Sequence, residues 1–232
     1  MPASPRELMR MHVEALFTHD GAGDLVSVNE PTVGDTPAPR FFLGVTEDGC
    51  LLRFRNDLSA ALRAELIVGA REEHAGVAIP PVATRYEDIV GRDAPANKTW
   101  AGPAFTFPAR LPAVFGTTLI DASTASLLEP LLSPWIPDVS ACQPMVVMVV
   151  GGKAVSICAS VRITDDAHEA GVDTAPLHRG RGYAAQVVAT WANVVRETGR
   201  VPFYSTSWRN AASRSVARKL SLIHFGNDLH IT

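Results

Sequence analysis

Leu177-His178-Arg179-Gly180-Arg181-Gly182-Tyr183-Ala184 runs without a break into a helical stretch at 185–198, and the reading of this passage decides the fold. Glycines at the mouth of a helix let main-chain N–H groups crowd around an anion, and the positive end of the helix dipole falls on the same spot. The passage therefore predicts a phosphate cradle. The helix behind it sets Ala184, Val187, Val188, Trp191 and Val195 on one face, the spacing of a helix packed on a core, and Gly199 stops it.

Outward from the turn, short strands and helices alternate. Met145–Val150 and 154–162 read as strands joined at Gly151-Gly152, a tight hairpin turn. A third strand, Ala167–Thr174, leads through Pro176 into the glycine turn. Beyond Gly199, residues 203–206 make a short strand, Asn210 caps a helix that runs to about Leu220, and 222–231 supply terminal strand. Upstream, 124–132 reads as a short helix. The first 112 residues are looser, with Pro- and Gly-rich separators at 34–39, 76–81 and 91–103. Within them, 41–45 and 50–55 form a hairpin around Asp48-Gly49. Leu58, Leu62 and Leu66 mark a helix behind Asn56 or Asp57. His12, His19 and His74 stand isolated, so this half shows no chemistry of its own.

Composition narrows the class. The 232 residues, 47% hydrophobic and 19% charged, suffice for one large domain or two small ones. The longest apolar run, Met145–Val150, has the length of a strand and falls far short of the roughly 20 residues that cross a bilayer. The first residues mix Arg6, Glu7, Arg10, His12 and Glu14 with apolar ones and lack the core of a secretion signal, which predicts a cytoplasmic protein with no membrane partner. Cys50, Cys142 and Cys158 have neither disulfide nor metal-ligand spacing, so no metal is expected. Net charge is −3, unevenly spread: the segment from His178 to Leu220 holds eight basic residues and one acid, a local +7 that leaves −10 elsewhere. That basic segment coincides with the glycine turn and so suits a phosphorylated cofactor better than nucleic acid. The acidic remainder suits a cationic amine.

The order Arg179, two residues, Gly182, one residue, Ala184 resembles the pyrophosphate-loop signature of the GNAT superfamily of acyl-CoA-dependent N-acetyltransferases. The resemblance covers about 116–232. Asn210, Ser213, Leu220 and Leu222 are similar to a second family signature, in which an Asn opens the helix after the fifth strand and a Leu-Gly-Phe triplet follows. The resemblance implies an α/β (α+β) fold with a mixed, largely antiparallel central sheet, splayed between two strands and flanked by helices, with 1–115 as an N-terminal α+β extension shaping the acceptor pocket. It implies acetyl-CoA as cofactor and an amine acceptor, small molecule or peptide, attacked directly in a ternary complex. Carried over, Arg179, Gly180, Arg181, Gly182, Tyr183 and Ala184 face the pyrophosphate. Val172 and Thr174 bond the pantetheine through their main chains, and Asn210 and Ser213 contact the pantetheine or the adenosine end. Two departures stand out. Ala217 occupies the place of the Tyr that protonates the departing thiolate, and Ser221 replaces the Gly of the triplet.

Acetyl transfer also needs a base, because an alkyl ammonium is protonated at neutral pH. Glu169, on the strand beside the expected thioester, is the candidate, acting directly or through water. Strand alternation turns His168 to the opposite face and leaves Asp173 on that of Glu169. Tyr183, Tyr204, Ser205 and Thr206 are open as proton donors. The alternatives are transfer of a longer acyl chain, acylation of a protein terminus or lysine, and a non-catalytic acyl-CoA-binding module. A Rossmann or P-loop site fits less well, since the turn lacks G-x-G-x-x-G and a Gly-Lys-Ser/Thr ending. A homodimer is an arrangement the sequence leaves open.

Overall fold

The structure, a computed structural model, describes residues 3–32, 36–71, 79–95 and 98–232, with only the backbone of 79–82. In chain order the elements are α1 (Pro5–Leu16), β1 (Phe17–His19), β2 (Leu25–Val28), β3 (Phe41–Thr46), β4 (Gly49–Phe54), α2 (Ala60–Arg71), α3 (Ile79–Val90) and β5 (Thr99–Thr106). They continue as β6 (Thr117–Leu119), β7 (Met145–Val150), β8 (Lys153–Ile163), β9 (Ala167–Thr174), α4 (Tyr183–Glu197), β10 (Val201–Ser205), α5 (Ala211–Lys219) and β11 (Ile223–Ile231). His74 and part of the separators at 34–39, 76–81 and 91–103 lie outside the described residues.

Strands from both ends of the chain join one nine-stranded sheet, ordered β4-β3-β11-β5-β10-β9-β8-β7-β6. Its neighbours are antiparallel except β9 and β10, which run parallel. The fold is thus the mixed, largely antiparallel sheet flanked by helices that the sequence predicts. Alternating side chains assign the helices to faces. On β10, Phe203 packs into the cluster under α1 and Tyr204 into the cluster under α4, so these helices cover opposite faces. On β3, Phe42 lies under α1 while Phe41 lies under α2 and α3. On β7, Val146 meets α4 and Val147 meets the segment around Leu128 and Leu132.

Local chemistry explains the pieces. Ser4 caps α1 by accepting from the Glu7 N–H at 3.3 Å, and Pro5 opens the helix. Met9, His12, Val13 and Leu16 then fall on the buried stripe. Gly151 (φ 59°) and Gly152 (φ 76°) supply the two left-handed residues that a tight hairpin turn between β7 and β8 demands. The expected helix at 124–132 is instead a pair of 3₁₀ segments, Ala125–Leu128 and Ser133–Asp138, because Pro130, Pro134 and Pro137 break any longer α-helical run.

Six elements were not foreseen, the short strands β1, β2 and β6 among them. α1 and α3 are additional, and α3 starts at Ile79 inside the separator read at 76–81. β5 replaces the end of the separator read at 91–103 and sits between β11 and β10 despite Pro103. Gly102 permits it, since a Cβ there would overlap the Thr206 carbonyl.

Candidate active site

The glycine turn joins the end of β9 to α4. Pro176–His178 make one 3₁₀ turn, and the chain then needs left-handed residues, which Gly180 (φ 76°) and Gly182 (φ 87°) provide. Gly182 is the N-cap of α4 and offers no side chain to its first N–H groups. The main-chain N–H groups from Gly180 to Ala185 have no hydrogen-bond partner among the described residues. A Cβ built on Gly180 or Gly182 has no heavy atom within 4 Å. The turn is therefore open, and the α4 dipole adds positive potential to it. Arg179 is arranged differently. Its N–H bonds the Pro176 carbonyl at 3.3 Å, and its Nε donates to the Thr174 carbonyl at 2.9 Å, stapling the turn to β9. The exposed Arg181 side chain stays outside the cleft described next.

β9 and β10 pair only over Ala167–Glu169 and Val201–Phe203, then splay apart. The Ala175 N–H bonds Val155 on β8, so by alternation the main-chain groups of Val172 and Thr174 face the splay. Those of Val172 are open. Thr174 is already engaged, its N–H by the Asp173 carboxylate at 2.7 Å and its carbonyl by Arg179. Across the gap, Asn210 Oδ1 caps α5 by accepting from the Ser213 N–H at 3.0 Å. The Ser213 hydroxyl lies 2.6 Å from that of Tyr204, whose burial pushes its pKa up to about 12. Ala217 packs in the core with Trp191 and Leu220, away from the cleft. Ser221 takes the vacated glycine position at φ 51°, and Leu222 N–H closes the helix end on the Ala217 carbonyl.

One cleft of about 1,090 Å³ runs from the turn through the splay to a second compartment. Glycines 180 and 182, Tyr183, Ala184, Val172, Thr174, Asn210, Ser213 and Tyr204 line the first part. Glu30, Lys98, Trp100, Arg162, Glu169 and His230 line the second. There Trp100 stacks on His230 with ring centroids 4.6 Å apart, and Arg162 pairs with Glu30 at 2.8 Å.

Glu169 stands where the two compartments meet. One carboxylate oxygen accepts from the Ser205 N–H at 2.6 Å and from its hydroxyl at 2.8 Å. The other lies 3.3 Å from His12 Nδ1, an ion-pair distance at a poor hydrogen-bond angle. His12 is wholly buried, and its Nε2 lies 3.0 Å from Asp228, which also meets His230 Nε2 at 3.3 Å. Burial alone would lower the pKa of His12, but the two carboxylates overcome it and raise it to about 10. Burial works against the Asp228 carboxylate too, yet its two histidines hold it below the usual range. His168 faces away toward α4, with Nδ1 2.8 Å from Ser160, and burial lowers its pKa to about 4.

His12 is thus not the isolated residue of the sequence reading, but lies buried between Glu169 and Asp228. Its partners lie more than 150 positions away, which no local pattern records. One signal was available: His12 occupies the apolar stripe of α1, where a polar residue must find a partner or stay neutral. Asp228 and His230 share one face of β11 in the same way.

Residues 146–226 match the family model of the GNAT acetyltransferases. No curated protein matches the chain. Among solved structures, a protein described as an acetyltransferase of the GNAT family from Novosphingobium aromaticivorans is similar at 16% identity and a TM-score of 0.49, with 59% of this chain and 65% of that one covered. A GCN5-related N-acetyltransferase-like protein from Streptococcus suis is similar at 16% identity and 0.48, with 86% and 87% covered. A GNAT-family acetyltransferase from Colwellia psychrerythraea is similar at 12% identity and 0.47, with 86% and 82% covered.

Proposed function

We propose that the protein is an N-acetyltransferase that passes the acetyl group of acetyl-CoA to an amine, small molecule or peptide, held in the same cleft. The observation that carries this reading is the run of unpartnered N–H groups from Gly180 to Ala185, open to the cleft at the positive end of α4. Acetyl-CoA supplies the activated thioester and an anionic diphosphate. The N–H groups of Gly180, Arg181, Gly182, Tyr183 and Ala184 hold that diphosphate, and Arg179 braces the turn. Val172 offers its main chain to the pantetheine as an added strand does. Thr174 joins only if Asp173 releases its N–H. Asn210 and Ser213 form the opposite wall.

Holding both reactants side by side is the largest lever, since orientation alone is worth effective molarities of about 10⁵ M or more. Glu169 takes the ammonium proton, directly or through a water. A strand N–H near Val172 meets the negative charge that develops on the carbonyl oxygen, a contact of a kind worth about 3 kcal/mol. Tyr183 and Tyr204 both line the cleft and are the phenols on hand for the thiolate. A thiolate is a good leaving group, so turnover survives a weak acid.

A thermal-shift titration with CoA, followed by thiol release across a panel of primary amines and peptides, tests the reading. Stabilisation by CoA and release with at least one amine are expected. Absence of any shift contradicts the cofactor site. Stabilisation without release from any amine favours the non-catalytic acyl-CoA-binding alternative, which the alanine at 217 would suit.

A further inference from the structure

We propose that His12 is the positioning residue for the general base: from α1 it bridges Asp228 on β11 to Glu169 on β9 and fixes the Glu169 carboxylate at the junction of the two cleft compartments. The inference rests on the transferase reading of that cleft. Its observations are separate, since none of the three residues belongs to the phosphate turn.

One oxygen of Glu169 is held by Ser205 on β10 and the other faces His12 Nδ1 on α1 at 3.3 Å, so two further elements bear on this β9 carboxylate. His12 is itself locked. Asp228 takes its Nε2, and the edges of Phe203 and Phe225 stand 5.6 Å and 5.9 Å from the imidazole. The ionisable groups acting on His12 are Glu169 and Asp228, and His230 meets Asp228. Buried with a carboxylate on each side, the ring is an imidazolium at neutral pH and presents N–H to both sides. It thereby offsets the cost of burying Glu169 and Asp228 as anions, a cost neither would bear alone. The chain of contacts ends at His230, back in the wall of the cleft. A histidine that served only to dock α1 would need neither carboxylate, because the rest of its stripe, Met9, Val13 and Leu16, is apolar and buried.

His12→Gln, alone and combined with Glu169→Gln, tests the role through thiol release from acetyl-CoA with the most responsive amine of a primary-amine panel. The single variant is expected to lose about 10- to 100-fold in kcat with KM for acetyl-CoA unchanged. On the Glu169→Gln background the same replacement should cost nothing further. An unchanged kcat, a loss that appears in KM for acetyl-CoA instead, or an equal loss on both backgrounds overturns the proposal. If His12→Gln does not fold, Asp228→Asn takes its place with the same directions expected. In the wild type, ¹⁵N spectra at pH 7 should show the His12 ring protonated at both nitrogens, and a neutral tautomer overturns the proposal without any variant. A wild type that binds CoA yet releases no thiol with any amine sinks the transferase reading and this inference together. An active wild type indifferent to these replacements sinks this inference only.

Discussion

In the proposed mechanism Glu169 is the residue on which the chemistry turns. Replacing it with Gln keeps the shape and the acceptor for Ser205 but removes the proton acceptor. Thiol release should fall about 10²- to 10⁴-fold while the thermal shift with CoA persists. Full retention of turnover would remove Glu169 as base. Ser221 tests the reading of the second signature. At φ 51° it pays the left-handed penalty that a glycine avoids, so Ser221→Gly should stabilise the fold by about 0.5–1 kcal/mol, a rise of a few degrees in melting temperature. A lower melting temperature would mean that the serine holds a compensating bond. At this scale the sequence was legible where a residue's role is local. The conformation of Gly182 and the capping by Asn210 follow from their neighbours in the chain, and both appear as expected. The partners of His12 do not, because burial and long-range pairing are properties of the assembled sheet.

Among the elements, the hairpin of β7 and β8, the strand β9, the helix α4 and the capped α5 were readable from periodicity, because each buries one face and alternates accordingly. β5 was not. Pro103 and Gly102 argue against a central strand, and only the close approach of the Thr206 carbonyl explains why a glycine is needed there. α1 had a start signal in Ser4-Pro5-Arg6-Glu7 that went unused, a capping residue with a Glu three positions on. The turn between β9 and α4 makes the sharpest prediction at this scale. Gly182→Val forces a β-branched residue to φ 87° and projects side chain into the open space of the cradle. The melting temperature should drop by an amount equivalent to about 1–3 kcal/mol, and the stabilisation by CoA should vanish. CoA stabilisation equal to that of the wild type would count against the cradle.

For the molecule as a whole, the basic stretch of the sequence contains the turn, α4 and α5, and of its basic side chains Arg179 and Lys219 line the cleft while Arg196 donates to the Phe107 and Pro108 carbonyls. Stability should follow the buried histidines. His12 has a folded pKa near 10 against an ordinary 6.5, so its contribution is complete below pH 6.5 and is lost as pH rises through 10. His168 is the reverse. With a folded pKa near 4, its contribution is complete above pH 6.5 and fades as pH falls through 4. Asp228, held below its ordinary 3.8, adds a loss at still lower pH. Urea midpoints should therefore peak near neutrality and decline on both sides, and His12→Gln should flatten the alkaline decline. A wild-type midpoint that holds steady up to pH 10 would contradict the charged His12. The central claim, that the main chain from Gly180 to Ala185 grips the diphosphate of coenzyme A, is tested most directly by a crystal structure grown with the cofactor. The account predicts diphosphate oxygens about 3 Å from those nitrogens, with the pantetheine lying in the splay beside Val172. A diphosphate bound anywhere else, with the turn empty, would contradict it.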